Sequence, residues 1–160
     1  MNDFISTLGY KVDNERLFSE YTNNISHKMN IDDTTHLVVV QKYCYITIKD
    51  FRDPILDKMP YTRGIINLIA EIAEFDKIVY RIVMPNTCYS WHIDSFKNGF
   101  SYHIPLVSND GCLFVYESIN YKMPADGSIY KTKNDIPHTF INSGKTERLH
   151  LMFENVTQPS

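Results

Sequence analysis

From Lys77 onward the chain leaves almost no room for helix. Six short segments rich in β-branched and aromatic residues follow one another, at 77–85, 100–107, 111–118, 127–132, 138–142 and 148–155. Such residues suit a pleated surface, and each run is too short to make a stable helix. Between them stand SNDG (108–111), PADG (124–127) and NSGK (142–145), each with a glycine able to take positive φ. Many short strands at this spacing predict a sandwich or barrel, with the jelly roll as its closed-up variant.

The first 76 residues read differently. Residues 14–26 carry apolar positions at helical spacing, with Asp13 or Asn14 available as a cap. Residues 62–75 place Ile65, Ile66, Leu68, Ile69, Ile72 and Ala73 on one broad apolar face, the pattern of a helix lying on a core. Between these, 36–48 is β-branched and aromatic and reads as one or two strands. No repeat, low-complexity tract or linker-like stretch divides the chain. The expectation is therefore a single domain over 1–160, with helices of residues 1–76 packed on one sheet and a β core over 77–155. At 160 residues the chain is long enough to bury a sizeable core.

Composition narrows the partners. A formal charge of -3 gives no basic footprint, so neither nucleic acid nor an anionic membrane is expected. Cys44, Cys88 and Cys112 are widely spaced and form no CxxC pair, which points away from a thiolate zinc site or a disulfide framework. Isolated thiols are commonest in reducing compartments. The N-terminal residues lack a secretory pattern and no apolar run approaches membrane-spanning length, so the cytoplasm is the expected location.

The chemistry-bearing stretch is SWHIDSF, residues 90–96. In a strand, residues i and i+2 leave the same face, so His92 and Asp94 project together and Ile93 the other way. His138, stiffened by Pro137, is the candidate third ligand from a distant strand. Two imidazoles and a carboxylate on one side of a metal are the facial set that binds Fe(II) and leaves positions open. A lone HxD is more often a solvated strand or loop, and the chain holds six histidines. Arg148, ten residues after His138, shifts that balance. If NSGK turns the chain, Arg148 returns on the strand next to that of His138, where a guanidinium can pair with a buried carboxylate. The ordinary alternative is a surface arginine paired with Glu147 or Glu154. Leu149, Leu151 and Phe153 alternate with Arg148, His150 and Met152, so one face is apolar and the other must line a cavity or meet water.

Taken in order, WHIDSF, SYHIPL, GCLFVYE, PHTFINSG and RLHLMFE resemble the Fe(II)/2-oxoglutarate-dependent dioxygenases of the double-stranded β-helix fold. More narrowly, the stretch from about Tyr80 to Phe153 is similar to the aspartyl/asparaginyl β-hydroxylase family. The resemblance implies a mainly β, cupin-like jelly roll with flanking N-terminal helices. It implies His92, Asp94 and His138 as iron ligands and Arg148 on the distal carboxylate of 2-oxoglutarate. His103 stands where the family counterpart also contacts this co-substrate, a satisfied core or rim histidine being the ordinary alternative. Ser101 replaces an arginine often found two residues before that histidine, which removes a second cationic contact.

The implied reaction uses Fe(II), 2-oxoglutarate and O₂ to hydroxylate an unactivated C–H of an amino-acid side chain, peptidyl or free, or of a related small molecule. Succinate and CO₂ are the co-products. A cupin-type metal enzyme without 2-oxoglutarate would not need Arg148 at its spacing, and a non-catalytic metal-binding jelly roll would not need the full ligand set. A nucleic-acid demethylase would carry a second arginine where Glu154 stands, and Asp94 argues against a halogenase. Tyr89 and Trp91 either wall the substrate pocket or pack; His150 either orients Arg148 or a ligand, or is buried structure. Asn142 and Gly144 read as turn residues, and Lys131, Lys133 and Asn134 as a solvated loop.

Overall fold

The computed structural model describes residues 4–26, 41–46 and 54–156. Its elements in chain order are β1 (Ile5–Lys11), α1 (Asn14–Asn24), β2 (Gln41–Ile46), a 3-10 turn (Pro54–Lys58), α2 (Pro60–Ile72), β3 (Lys77–Val83), β4 (Thr87–Cys88), β5 (Phe96–Val107), β6 (Cys112–Tyr116), β7 (Asn120–Tyr121), β8 (Ser128–Lys133), β9 (His138–Asn142) and β10 (Arg148–Val156). One sheet runs β1-β8-β5-β10-β3-β2 and the other β4-β9-β6-β7. Every described pairing is antiparallel. This is the expected jelly roll with its helices.

Strand parity divides the buried residues of the larger sheet into two sets. Ile78, Tyr80, Ile82, Tyr102, Ile104, Leu149, Leu151 and Phe153 join Leu17, Tyr21, Ile65, Ile66 and Ile69 in an apolar core under the helices. The alternate residues Val83 and Tyr130 join Phe114, Tyr116, Met123 and Phe140 in a second, smaller cluster between the sheets. The polar residues Ser101, His103, Thr132, Arg148, His150 and Glu154 have this second parity and are all buried. The space between the sheets is thus where the polar chemistry lies.

Both expected helices are present with shifted ends. Asp13, not Asn14, caps α1, accepting a hydrogen bond from the Arg16 backbone N–H at 3.1 Å. The second helix starts at Pro60 rather than 62 because two signals meet there. Proline suits the first turn, and Glu20 of α1 accepts from the N–H groups of Tyr61 and Thr62 at 2.9 and 2.8 Å. It ends at Ile72, so Ala73 lies beyond it and Ile72 is exposed. Of the expected 36–48 strand region, 41–46 forms β2; residues 36–40 and 47–48 lie outside the described residues. Strand β1 carried no sequence signal: it is an edge strand, mostly exposed, with no apolar run.

The strand expected at 100–107 is present within β5. Pro105 sits inside this central strand, but it falls where pairing with β8 has ended and the β10 ladder shifts register, a place that tolerates the missing donor. One turn reading is corrected. Of the three turn glycines only Gly127 takes positive φ, at 83°. Gly111 and Gly144 serve instead for close approach, since side chains there would meet the Gly144 backbone and the Asn109 side chain respectively.

Gly127 also lies against the Val12 carbonyl, where any Cβ would collide, and its own carbonyl accepts from the Val12 N–H at 2.9 Å. Gly127→Ala is expected to cost at least about 2 kcal/mol, lowering Tm by about 4–8 °C. Gly9→Ala, in open space on β1, is expected to stay within about 0.5 kcal/mol. Thermal unfolding of the two variants checks this; equal midpoints would refute it.

Candidate metal centre and co-substrate cavity

His92 and His138 are placed by backbone, not by chance proximity. They face each other in an isolated antiparallel bridge, the N–H of each donating to the carbonyl of the other at 3.1 and 3.0 Å. Directly opposed residues project to the same side, and the two ring centroids lie 4.4 Å apart. Each Nδ1 has a backbone carbonyl two residues earlier: Ser90 O at 2.7 Å for His92 and Ile136 O at 2.8 Å for His138. A carbonyl only accepts, so both rings carry the proton on Nδ1 and present a bare Nε2.

Asp94 lies outside any strand, so it owes its direction to something other than parity. Its N–H donates to Asn134 O at 2.9 Å, and Asn134 Nδ2 donates to its Oδ2 at 2.8 Å. Oδ2 lies 3.1 Å from His138 Nε2, and Oδ1 lies 3.6 Å from His92 Nε2. Ligand atoms of the three residues all lie within 4.8 Å of one another. Burial raises the Asp94 carboxyl, but its polar neighbours, the donating Asn134 amide among them, outweigh it and hold it below its ordinary value. Lone pairs alone converge here, so the cluster fits a cation, and two imidazoles with a carboxylate suit Fe(II).

Arg148 opens β10 and is buried. Its guanidinium sits over the Phe140 ring at 4.7 Å. Among the described residues no carboxylate pairs with it; Glu154, one of the ordinary partners considered, instead meets Arg81 at 3.3 Å. Burial pushes Arg148 down to about 10, so it keeps its charge at neutral pH. With Cys112, Leu113, Phe114, Met123 and His150 it lines a small cavity. Aromatic rings tie this cavity to the metal cluster. Phe114 stacks on His138 at 5.3 Å, and Phe140 stacks on Tyr89 at 5.0 Å, whose ring meets His92 edge-on.

The expected route from His138 to Arg148 is wrong in one respect. Strands β9 and β10 are not neighbours; they belong to different sheets, so the NSGK segment crosses between sheets instead of making a hairpin. Asn142, read as a turn residue, is fully buried and pins that crossing. Its Nδ2 donates to Val83 O at 3.0 Å and Thr146 O at 2.9 Å, while Oδ1 accepts from Asn109 and from the Gly144 N–H.

A buried polar chain connects the two sites. Asn134 Oδ1 lies 2.9 Å from Ser101 Oγ and 2.8 Å from Thr132 Oγ1. Both hydroxyls also reach His103 Nε2, at 3.0 and 3.2 Å, and His103 Nδ1 meets His150 Nδ1 at 3.2 Å. Asn134, read as solvated, is therefore buried, because Asp94 and the hydroxyls draw its amide inward. Lys131 lies over the Phe100 ring at 4.0 Å, and Lys133 pairs with Asp135 at 3.4 Å. Burial, then the nearby Arg148 charge, hold His103 and His150 well below the ordinary imidazole value. Trp91 and Ile93 are 55% and 57% exposed.

The sequence profile of the aspartyl/asparaginyl beta-hydroxylase family matches residues 13–158. The chain belongs to this family. It is accordingly an Fe(II)- and 2-oxoglutarate-dependent dioxygenase, the reading that the ordered motifs suggested. Comparison with curated proteins gives no match. Solved structures share the fold. A Pseudomonas putida prolyl-4-hydroxylase has TM-score 0.64 at 13% identity, covering 98% of this chain and 95% of that one. A Trichoplax adhaerens prolyl hydroxylase, in complex with a hypoxia inducible factor peptide fragment, has TM-score 0.70 at 10% identity, covering 97% and 84%. A 2OG-Fe(II) oxygenase family protein from Burkholderia pseudomallei has TM-score 0.62 at 16% identity, covering 94% and 84%. Among the described residues of this hydroxylase-family chain, no helix is long and apolar enough to cross a membrane.

The buried imidazoles set a pH dependence. Their folded-state values lie below the unfolded value near 6.5, so below that pH the unfolded chain binds more protons and stability falls. The slope is about 1.4 kcal/mol per pH unit for each imidazole until its folded value is reached. Urea unfolding between pH 7 and pH 5 is expected to show this fall, with a shallower slope in His103→Gln/His150→Gln. Identical slopes would contradict the neutral burial of the pair.

Proposed function

We propose that this chain is one dioxygenase domain that hydroxylates an unactivated C–H of an amino-acid side chain, peptidyl or free, or of a related small molecule. In this reading His92, Asp94 and His138 hold the iron and Arg148 takes the distal carboxylate of 2-oxoglutarate, with succinate and CO₂ as co-products. The observation that carries it is the pairing of an acceptor-only His-Asp-His cluster with a buried guanidinium that no described carboxylate neutralises. When bound, iron and 2-oxoglutarate supply the oxygen activation that the side chains cannot.

The residues do the positioning. The carbonyls of Ser90 and Ile136 fix both imidazole tautomers, so each Nε2 is ready as a ligand. Asn134 aims the Asp94 carboxylate and keeps one of its oxygens occupied. Phe114 lines the Arg148 cavity and the Phe140 ring lies against the guanidinium, and this apolar surface strengthens any ion pair formed there. Trp91 and Ile93 flank His92 in sequence and offer apolar area at the exposed side of the cluster, suited to the flank of a substrate side chain or short peptide. The peptide complex of the Trichoplax neighbour supports a peptidyl substrate for this frame.

Anaerobic titration with Fe(II) and 2-oxoglutarate is expected to give the weak visible metal-to-ligand charge-transfer band. A His92→Ala/His138→Ala double variant should lose it; full intensity in that variant would remove the ligand assignment. Oxygen consumption without 2-oxoglutarate would favour the cupin-type alternative. Asn134→Ala is expected to lower divalent-metal affinity about 10–100-fold, measured by competition with a chelating dye. Unchanged affinity would show that Asp94 needs no such support.

A further inference from the structure

A second polar residue lining the Arg148 cavity carries a buried atom without a partner. His150 is buried and lines the same cavity, and its Nε2 has no hydrogen-bond partner. A buried ring nitrogen without a partner carries a desolvation cost that a ligand can relieve. His103, the residue expected to meet the co-substrate, is differently placed: both of its nitrogens already have partners in Ser101, Thr132 and His150.

We propose that His150 Nε2–H is the second anchor for the distal carboxylate that Arg148 receives, with His103 acting behind it as a positioning residue. This rests on the reading of Arg148 given above. Proton order decides which His150 nitrogen can donate. The two Nδ1 atoms of His103 and His150 lie 3.2 Å apart, so one must donate and the other accept. A carboxylate only accepts, so it requires the proton of His150 on Nε2 and a bare Nδ1. His103 must then donate from Nδ1 and accept at Nε2.

The hydroxyls complete the order without conflict. Ser101 donates its single proton to His103 Nε2, Thr132 donates to Asn134 Oδ1, and Asn134 Nδ2 donates to Asp94 Oδ2. Every donor in the chain has an acceptor, from the carboxylate pocket to the metal cluster. In the opposite order both hydroxyls turn to Asn134, His150 Nδ1 donates to His103, and a bare Nε2 lone pair would face the carboxylate. Ser101 therefore has a use of its own at the position where an arginine is often found: its hydroxyl holds the proton order of the imidazole pair.

The test uses the protein loaded with Zn(II), which is diamagnetic and does not turn over 2-oxoglutarate. Long-range ¹H–¹⁵N spectra of the wild type saturated with 2-oxoglutarate are expected to show His150 protonated at Nε2 and bare at Nδ1. A proton on Nδ1 alone in that complex overturns the proposal. By calorimetry, His150→Leu is expected to weaken 2-oxoglutarate about 10–100-fold with Zn(II) affinity unchanged, and His150→Gln to recover most of the loss through its amide donor. Arg148→Leu is expected to weaken it about 100-fold or more. Wild-type affinity in His150→Leu with loss in Arg148→Leu overturns the role of His150 alone. Wild-type affinity in both overturns the carboxylate pocket itself, and the His150 assignment with it.

Discussion

A guanidinium held out of water is costly until an anion reaches it, and the inward face of β10 carries one. That constraint organises the space between the sheets. The cation cannot be relaxed toward solvent, because Leu149, Leu151 and Phe153 on the opposite face are locked under the helices. Nor does Glu154 relieve it, being engaged by Arg81. The apolar helix-covered core thus fixes the strand, and the strand keeps the charge beside the cavity.

The polar residues around it follow from the same geometry. Period-two alternation puts Ser101 and His103 of β5, Thr132 of β8 and His150 of β10 on one buried face. Buried polar groups need partners, and they find them mainly in one another. The smaller sheet contributes His138 from β9 and, across the bridge, His92. Two sheets with different tasks meet at Asn134, which touches both the carboxylate of Asp94 and the hydroxyls of the larger sheet.

Much of this was legible in the chain itself. Strand segments from 77 onward, the amphipathic helix around Ile65–Ile69 and the His92, Asp94, His138 and Arg148 set could be read because each carries a local period or an ordered spacing. What was hidden depends on contacts between distant residues. Asn134 lies in a polar stretch that looks solvated, and only the position of Asp94, forty residues earlier, draws it inward. Asn142 resembles any turn asparagine until Val83 is brought beneath it. The sheet change between β9 and β10 leaves no mark either, since a hairpin and a crossing use the same turn residues. His103 and His150 are separated by 47 positions, and nothing local announces that their rings meet.

The backbone bridge between His92 and His138 has a consequence for how an ion is taken up. On the proposed assignment, two of the three donor residues are fastened to each other by main-chain bonds that do not involve the ion at all. The conformational entropy of bringing these two distant segments together is settled during folding, so an incoming ion need not draw His92 and His138 together. Affinity here is therefore governed by desolvation and donor chemistry more than by chain closure. On the proposed assignment, these two donors would keep their spacing through the main-chain bridge whether or not an ion sits between them.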